Sequence, residues 1–206
     1  MKLTWYGHAC FLLESDGWMR LLTDPYPQSI YPHGLPLCDA VTVSHEHYDH
    51  NDTASLPGTP AVFRGTGSHT LGDIRLQGLS SFHDEVQGAK RGQNAVFIFE
   101  TGGLRLAHLG DLGHMPEGSL LAALQDADVL LLPIGGTYTL TGPQAAALAK
   151  ALHPRWILPM HYALSGCPID ISDESSFLKA MPGLPVMRHT CWTPALPQGI
   201  LLLDKR

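Results

Sequence analysis

The sequence predicts an α+β protein in which two β-sheets pack face to face and helices cover the outside, giving four layers. Two observations support this fold class. Short apolar segments separated by turn residues fill the first half of the chain, and helical segments alternate with buried-looking strands in the second half. Because each sheet must cover its apolar faces, this order suggests stacked sheets with helices outside. The 206 residues, 44% of them hydrophobic, are predicted to form a single domain over residues 1–206.

The first three segments are strand-like and lie close together in the chain. They span Leu3 to Tyr6, Cys10 to Glu14 and Met19 to Thr23, and they are separated by the turn-prone residues Gly7 and Asp16-Gly17. Short connections of this kind join antiparallel strands. The start of the chain is therefore predicted to be an antiparallel meander.

A proline-rich loop follows from Pro25 to Pro36, and a short β-branched run, Ala40 to Ser44, comes after it. That run leads directly into the segment Ser44-His45-Glu46-His47-Tyr48-Asp49-His50. The polar segment is therefore predicted to lie at the carboxyl end of a strand.

Four more strands are predicted before the first helical segment. They span Ala61 to Phe63, Ile74 to Ser80, Ala95 to Thr101 and Leu104 to Leu109. The last two are joined by Gly102-Gly103, which favours a hairpin.

Helical segments appear in the second half of the chain. Helices are predicted over Pro116 to Leu124, Gly142 to Leu152 and Asp173 to Met181. They alternate with apolar strands predicted over Val129 to Ile134 and Trp156 to Met160.

Charge and composition exclude several classes of protein. The net charge is −6 and no Lys/Arg run occurs, so a nucleic-acid partner is not expected. No segment resembles a signal peptide or a membrane span, and we expect a cytoplasmic protein without a membrane partner. The oligomeric state does not follow from the sequence. Thiolate zinc sites and disulfide frameworks are not indicated, because the cysteines lack paired spacing: Cys10, Cys38, Cys167 and Cys191.

The segment from His45 to His50 concentrates side chains that bind metal ions. His45 and His47 lie two residues apart, so on an extended backbone their side chains share one face, and Asp49 and His50 follow as the chain turns. Imidazole and carboxylate suit zinc, manganese or iron(II), whereas structural zinc sites are more often closed by thiolates. The pattern predicts a catalytic metal site. The alternative is a surface loop that gathers polar residues by chance.

The spacing His45-x-His47-x-Asp49-His50 resembles the HxHxDH signature of the metallo-β-lactamase superfamily. Four further segments resemble motifs of that family in the same order, and the resemblance covers nearly the whole chain. It is strongest for small uncharacterised metal-dependent hydrolases and weaker for the ascorbate-6-phosphate lactonases and the N-acylphosphatidylethanolamine phospholipases D. It implies the αββα metallo-β-lactamase fold. The further segments are Trp5-Tyr6-Gly7-His8-Ala9, Thr23-Asp24-Pro25, His108-Leu109-Gly110-Asp111 and Pro159-Met160-His161-Tyr162.

The resemblance also implies a centre with two divalent ions, zinc in the first place, with manganese or iron as alternatives. His45 and His47 would hold the first ion together with a third histidine. The other implied ligands are Asp49, His50 and His161 for the second ion and Asp111 as the bridge between the ions.

Three histidines between the cluster and Asp111 could supply the third ligand: His69, His83 and His108. The family has this ligand in a loop that follows a strand, some tens of residues before the bridge. His83 fits best, because it follows a predicted strand and Phe82-His83-Asp84 resembles a motif of these hydrolases. His108 lies on a predicted strand, where a histidine more often packs than binds metal.

Five residues outside the ligand set are further candidates. His114 is predicted to be catalytic, either binding substrate or stabilising a leaving group, and a solvated loop histidine is the alternative. Asp24 would accept the ring N–H of a metal-bound histidine, or form a simple Asp-Pro turn. His8 would lie near the metals with either a supporting or a structural role. Arg91 and Asn94 would contact an anionic or amide group of substrate, or lie in a solvated turn.

These predictions describe a metal-dependent hydrolase with a small-molecule substrate. A hydroxide activated by two metals would attack an ester-like bond, which could be a lactone, an ester or a phosphoester, and Asp49 and Asp111 would take part in catalysis. A di-iron oxidoreductase and a non-catalytic metal-binding protein are the alternatives on the same fold. The oxidoreductases commonly have Glu at the second ligand position, so His47 favours hydrolysis.

Overall fold

The computed structural model describes residues 1–206, and its first half forms a five-stranded sheet. The strands follow one another in space in the order of the chain, β1-β2-β3-β4-β5. The first three form the predicted antiparallel meander, and β4 and β5 then add in parallel to β3. The strands are β1 Lys2–Gly7, β2 Cys10–Glu14, β3 Arg20–Thr23, β4 Ala40–Val43 and β5 Ala61–Arg64.

The second sheet has eight strands and two distinct parts. The strands β6 to β9 pair antiparallel, whereas β9, β10, β11, β13 and β12 pair in parallel in that spatial order. The strands are β6 Gly67–Leu71, β7 Ile74–Phe82, β8 Gln93–Thr101, β9 Leu104–His108, β10 Val129–Pro133, β11 Trp156–Met160, β12 Val186–His189 and β13 Gly199–Leu203.

Three short α-helices accompany the second sheet: α1 Gly118–Leu124, α2 Gly142–Leu152 and α3 Ser175–Ala180. The helix α2 begins with a capping box, in which the side chain of Thr141 accepts the Gln144 N–H and the Gln144 side chain accepts the Thr141 N–H. Reciprocal caps of this kind satisfy backbone groups that a helix start leaves free. None of the helices has the length and hydropathy needed to cross a bilayer.

The main core lies between the two sheets and under the helices. Side chains of the first sheet alternate between its two faces, as the period of a strand requires. Trp5, Phe11 and Leu21 belong to the main core, whereas Leu12 and Leu22 belong to a smaller core on the opposite face. The α+β sandwich predicted from the sequence is therefore confirmed.

The outer layer over the first sheet differs from the prediction. All three helices contribute to the main core, and the smaller core is instead closed by loop residues, among them Tyr26, Ile30, Tyr31 and Leu56. Part of this covering loop lies between Pro25 and Pro36, where repeated prolines remove the backbone donors that a helix needs. An aromatic loop therefore replaces a helix on this face.

Most predicted elements agree with the structure to within two residues at each end. Three strands, β6, β12 and β13, were absent from the prediction. The strand β6 has the sequence Gly-Ser-His-Thr-Leu and is largely exposed, so it shows no apolar period. Pairing with β7 defines it as a strand, and that pairing is not visible in its own residues.

Candidate metal centre

The candidate residues lie in loops that follow strands running in the same direction. His8, Asp24 and the segment from His45 to His50 follow β1, β3 and β4, respectively. His83, Asp111 and His161 follow β7, β9 and β11 in the second sheet. Because these strands end at one edge of the sandwich, residues as far apart in the chain as His8 and His161 meet there.

One group of donors consists of His45, His47 and His83, and their nearest ring nitrogens lie within 4.8 Å of one another. His45 and His83 are buried, whereas His47 is exposed. The structure thus brings the predicted third histidine, His83, to the first pair. The other two candidates lie elsewhere: His69 contacts Phe63, and the Nε2 of His108 donates to the carbonyl of Ala9 at 2.8 Å.

A second group of donors consists of Asp49, His50, His161 and His8, again with donor atoms within 4.8 Å of one another. Three of the four residues are buried, and the Asp49 side chain is 13% exposed. The first three are the predicted ligands of the second ion. His8 was expected only near the centre, and the structure places its Nε2 atom next to the donor atoms of Asp49 and His50.

Asp111 lies between the two groups. Its Oδ2 atom is 3.1 Å from Nε2 of His83 in the first group, and 3.2 and 3.3 Å from Nε2 of His161 and His50 in the second. Its distance to Nε2 of His45 is 3.8 Å. A single carboxylate therefore contacts donors of both groups, which is the position a bridging ligand requires.

Several buried polar atoms of this centre have no hydrogen-bond partner in the protein. They include Nε2 of His45, Nε2 of His161 and Oδ1 of Asp111. Unpartnered buried polar groups carry a desolvation cost of about 1–3 kcal/mol each, so a cluster of them calls for an explanation. Imidazole and carboxylate donors fit zinc, and four donors at about 2.0–2.1 Å from a tetrahedral ion stand roughly 3.3–3.4 Å apart. The distances around Asp111 are close to that value.

Hydrogen bonds behind the donors orient the rings. The Nδ1–H of His50 donates to Oδ2 of Asp24 at 2.9 Å, and the Nδ1–H of His83 donates to the carbonyl of Tyr138 at 2.9 Å. The Nδ1–H of His45 donates to the hydroxyl of Ser44 at 2.9 Å, and that hydroxyl donates to Asp24 at 2.6 Å. Each ring then presents its Nε2 lone pair to the centre, as metal-binding histidines do.

The charges of the metal-free centre are strongly coupled. Burial alone would lower the pKa of His50, but the carboxylates of Asp111 and Asp24 raise it well above its usual value. Burial also opposes ionisation of Asp111, yet His161 and His50 hold its pKa well below the usual range. Burial, together with the neighbouring imidazoles, lowers the pKa of His45 to about 3, so its ring is neutral at pH 7.

Three residues of the centre have a left-handed backbone conformation. The φ angles are 51° for His8, 37° for Asp24 and 50° for His161. Non-glycine residues in this region cost of order 1–3 kcal/mol and persist where the surroundings hold them in place. Their concentration in the loops that carry the donors is typical of a functional site.

A cavity of about 330 Å³ opens onto the centre. Tyr48, Arg91, Tyr138 and Ile169 line it in addition to five of the donor residues. Arg91 is its one cationic side chain; its guanidinium lies 5.4 Å from the Tyr138 ring centroid and donates to the carbonyl of Thr137 at 3.0 Å.

Sequence reasoning missed Tyr48, Tyr138 and Ile169 as lining residues. Tyr48 occupies a variable position of the HxHxDH segment, and no motif contains Tyr138 or Ile169. It also gave no role to Asp84, which is buried and accepts the backbone N–H groups of the loop that carries Arg91. The position of Asp84 directly after His83 was a usable signal.

His114 does not reach the centre, which corrects its predicted catalytic role. Its Nδ1 atom donates to the carbonyl of Met115 at 3.0 Å, and its Nε2 atom accepts the backbone N–H of Phe82 at 3.3 Å. Both ring nitrogens are therefore used by backbone. The ring lines a separate cavity with Ser80 and Glu85, because the loop turns away from the metal centre after Asp111.

Asn94 lies behind Asp111, and it lines a second cavity of about 570 Å³ together with His45, His47 and Arg91. Its Oδ1 atom accepts the Asp111 N–H at 2.9 Å, and its Nδ2 atom donates to Ser81 and to the carbonyl of Leu109. The amide thus has partners on both sides, and its Oδ1 atom supports the backbone of Asp111. Gly110 permits this close approach, since a Cβ atom there would lie 2.4 Å from the Asn94 Oδ1 atom.

The chain is similar in sequence and in fold to known proteins. A family described as the β-lactamase superfamily domain matches residues 2–161. A UPF0173 metal-dependent hydrolase of Pyrobaculum islandicum is 33% identical over 193 residues, covering 79% of this chain and 84% of the relative. One of Desulforamulus reducens is 30% identical over 212 residues, covering 88% of this chain and 92% of the relative.

Among solved structures, one from Thermotoga maritima is similar over 98% of this chain and 97% of its own, with a TM-score of 0.80 and 31% identity. Its proposed identity is a Zn-dependent hydrolase of the metallo-β-lactamase superfamily.

Proposed function

This chain belongs to the metallo-β-lactamase superfamily and is a metal-dependent hydrolase, and we propose that it uses two divalent ions to hydrolyse an ester-like bond in a small molecule. The observation that carries the proposal is the pair of donor groups that share Asp111. A single-metal site would need only one of these groups.

The residues present fit two ions of the zinc type. His45, His47 and His83 would hold the first, and the second would be held by Asp49, His50 and His161, with Asp111 between them. Bound divalent ions lower the pKa of coordinated water to about 7 and polarise the oxygen of the bond to be broken. No serine or cysteine nucleophile is then required.

Asp49 would assist the attacking water as a proton acceptor. Its Oδ2 atom contacts Nε2 of His8 at 3.2 Å, whereas no hydrogen bond within the protein uses its Oδ1 atom. The side chain lines the cavity and is partly exposed, so a substrate and water can reach it. A carboxylate within hydrogen-bond reach of the nucleophile is a suitable general base.

The cavity walls favour a small substrate that carries a negative charge near an apolar part. Arg91 offers a guanidinium at the cavity, and Tyr48, Tyr138 and Ile169 offer aromatic and aliphatic surface. Guanidinium groups bind carboxylates and phosphates with charge-assisted hydrogen bonds. A lactone, ester or phosphoester with an anionic substituent meets these requirements, and we place a lactone-type metabolite first.

The first test combines metal analysis with a substrate panel. Protein purified without chelators would be analysed for metals by plasma mass spectrometry and assayed with lactones, carboxylic esters and bis(p-nitrophenyl) phosphate. We expect two zinc or manganese ions per chain and metal-dependent hydrolysis. Absence of metal after attempted remetallation would contradict the proposal, and two irons with oxidation but no hydrolysis would support a di-iron oxidoreductase instead.

Substitutions of single residues then test whether the activity depends on the proposed metal ligands. His47→Ala and Asp111→Ala should abolish turnover and lower the metal content, because each removes a proposed ligand. His114→Ala is the matched control, since this histidine lies outside the centre and should change neither quantity. Full activity in either ligand variant would show that the catalytic site lies elsewhere. Two bound metals without hydrolysis of any compound would favour a metal-binding protein.

A further inference from the structure

We propose that His8 is a further ligand of the second ion, in addition to Asp49, His50, His161 and the bridging Asp111. This inference rests on the two-metal centre proposed above. It adds to that centre a residue from the first turn of the chain, outside the set of ligands that the family signature implies.

The Nε2 atom of His8 points at the other donors. It lies 3.2 Å from Oδ2 of Asp49 and 3.1 Å from Nε2 of His50. The His8 ring centroid is 4.1 Å from that of His161. Donor atoms at about 2.0–2.1 Å from a five-coordinate zinc ion stand roughly 2.8–3.6 Å apart, so the measured contacts have the spacing of neighbouring ligands.

The backbone around His8 is held firmly in an unfavourable conformation. His8 and Ala9 form the turn between β1 and β2, and His8 has a φ angle of 51°. The carbonyl of His8 accepts the indole N–H of Trp5 and the backbone N–H of His161, both at 3.0 Å. The second bond ties this turn directly to the loop that carries another proposed ligand.

The next carbonyl in the turn is held in the same way. The carbonyl of Ala9 accepts the hydroxyl of Thr23 and the Nε2–H of His108, both at 2.8 Å. Four hydrogen bonds therefore fix two consecutive carbonyls of a buried turn. A turn held this rigidly fixes the direction in which the His8 side chain leaves the backbone.

Comparison with His108 separates this arrangement from that of an ordinary buried histidine. Both residues are fully buried. The two ring nitrogens of His108 are used by the backbone of Ala9 and Gly110, which satisfies the ring. The ring of His8 has no such partners: its Nδ1 atom is unpartnered, as is Nδ1 of His161, and its Nε2 atom contacts only residues of the centre.

The alternative is that His8 only positions Asp49, donating an Nε2–H to the carboxylate. The two roles differ in a direct measurement on the unmodified protein. In a crystal of the zinc-loaded protein, with the ions located by anomalous scattering, we expect Nε2 of His8 at about 2.0–2.1 Å from the second ion. An Nε2 atom more than about 2.8 Å from the second ion would be too distant to coordinate it, and this result would overturn the inference.

Solution titration of the metal-free protein with Co(II), followed by absorption, gives a second measurement. We expect His8→Asn to weaken one of two metal equivalents by more than about 100-fold, beyond the range of about 10–100-fold for loss of a supporting partner. His153→Asn is the matched control, because His153 is an exposed histidine with the same φ angle of 51° outside the centre. It should leave both affinities unchanged.

The outcomes separate this inference from the proposed function. Two equivalents with unchanged affinity in His8→Asn would overturn the role of His8 and leave the two-metal hydrolase intact. A single equivalent in the unmodified protein would overturn both. If His8→Asn does not fold, as judged by circular dichroism, the anomalous-scattering structure of the unmodified protein decides the question alone.

Discussion

Asp24 connects more of the centre than any other residue that is not itself a proposed ligand. Its carboxylate accepts Nδ1–H of His50, and the backbone N–H and hydroxyl of Ser44, at distances of 2.6–2.9 Å. Through Ser44 it also supports His45. The chain bends at Asp24 directly after β3, and the side chain makes the supporting contacts predicted for it from the sequence.

We expect Asp24→Asn to weaken metal binding by about 10–100-fold, because an amide cannot accept all three donors and leaves the His50 ring less well oriented. The affinity would be measured by competition with a chromophoric chelator. Asp39→Asn is a suitable control, since Asp39 also accepts a backbone N–H, that of Arg20 at the other end of β3, away from the centre. If Asp24→Asn and Asp39→Asn bind metal with equal affinity, Asp24 does not support the metal ligands and has only a structural role in its loop.

The raised pKa values of His50 and His83 predict that metal binding releases protons. Burial opposes protonation of both, but Asp111 raises the pKa of each ring, and Asp24 adds to the effect at His50. Each ring therefore keeps its proton to a higher pH than a free imidazole, most strongly at His50, and an ion must displace a proton held on its ligand atom. Calorimetry in buffers of different ionisation enthalpy should therefore show protons released at pH 7, with affinity falling as the pH falls. Binding without proton release would contradict these charge states.

At the scale of elements, the loop after β7 links the metal centre to the cavity wall. It begins with His83, and Asp84 then accepts the backbone N–H groups of Val86, Gly88, Lys90 and Arg91. Burial by itself would raise the pKa of Asp84, but these N–H groups lower it to about 2, so the carboxylate is ionised at neutral pH. One carboxylate thus shapes the whole loop and places Arg91 at the cavity.

Asp84→Ala should raise KM for an anionic substrate by about the same factor as Arg91→Gln, while the metal content stays at the level of the unmodified protein. A charge-assisted hydrogen bond contributes roughly 1.5–3 kcal/mol, which corresponds to about a 10–100-fold change in KM. Steady-state kinetics with a charged and a neutral ester of the same acid would measure it. Asp73→Ala is the control, because Asp73 accepts Ser15, Gly17 and Thr101 in a distant turn. Equal losses on both esters would contradict the role of Arg91.

At the scale of the whole molecule, the centre joins the two sheets. The loops of the first sheet contribute His8 and the segment from His45 to His50, and the loops of the second contribute His83, Asp111 and His161. An ion bound by residues of both sheets binds the native arrangement and not the unfolded chain. Metal binding should therefore stabilise the complete fold.

Removal of metal should lower the melting temperature by about 5–10 °C. Free metal at 100 times Kd stabilises by about 2.7 kcal/mol, and each kcal/mol shifts Tm by roughly 2–4 °C for a chain of this size. Scanning calorimetry with and without a chelator would measure the shift. Asp111→Asn should abolish most of the difference, whereas His114→Ala should retain it. A chelator-independent Tm would show that the ions do not connect the sheets.

The sequence by itself determined the features that are local in the chain. The fold class followed from the order of apolar segments, and the donor set from His45 to His50 was readable because those residues are neighbours in one loop. The number and identity of the metal ions stay predictions, as do the single domain, the cytoplasmic location and the small-molecule partner.

Only the tertiary structure decided which distant residues join that loop. Spacing left His69, His83 and His108 as alternatives, suggested a catalytic role for His114, and could not give His8 a position. The structure resolves these cases because contact depends on which strands end at the same edge of the sandwich. Strand order and direction are set by pairing between segments far apart in the chain, and no single segment carries that information.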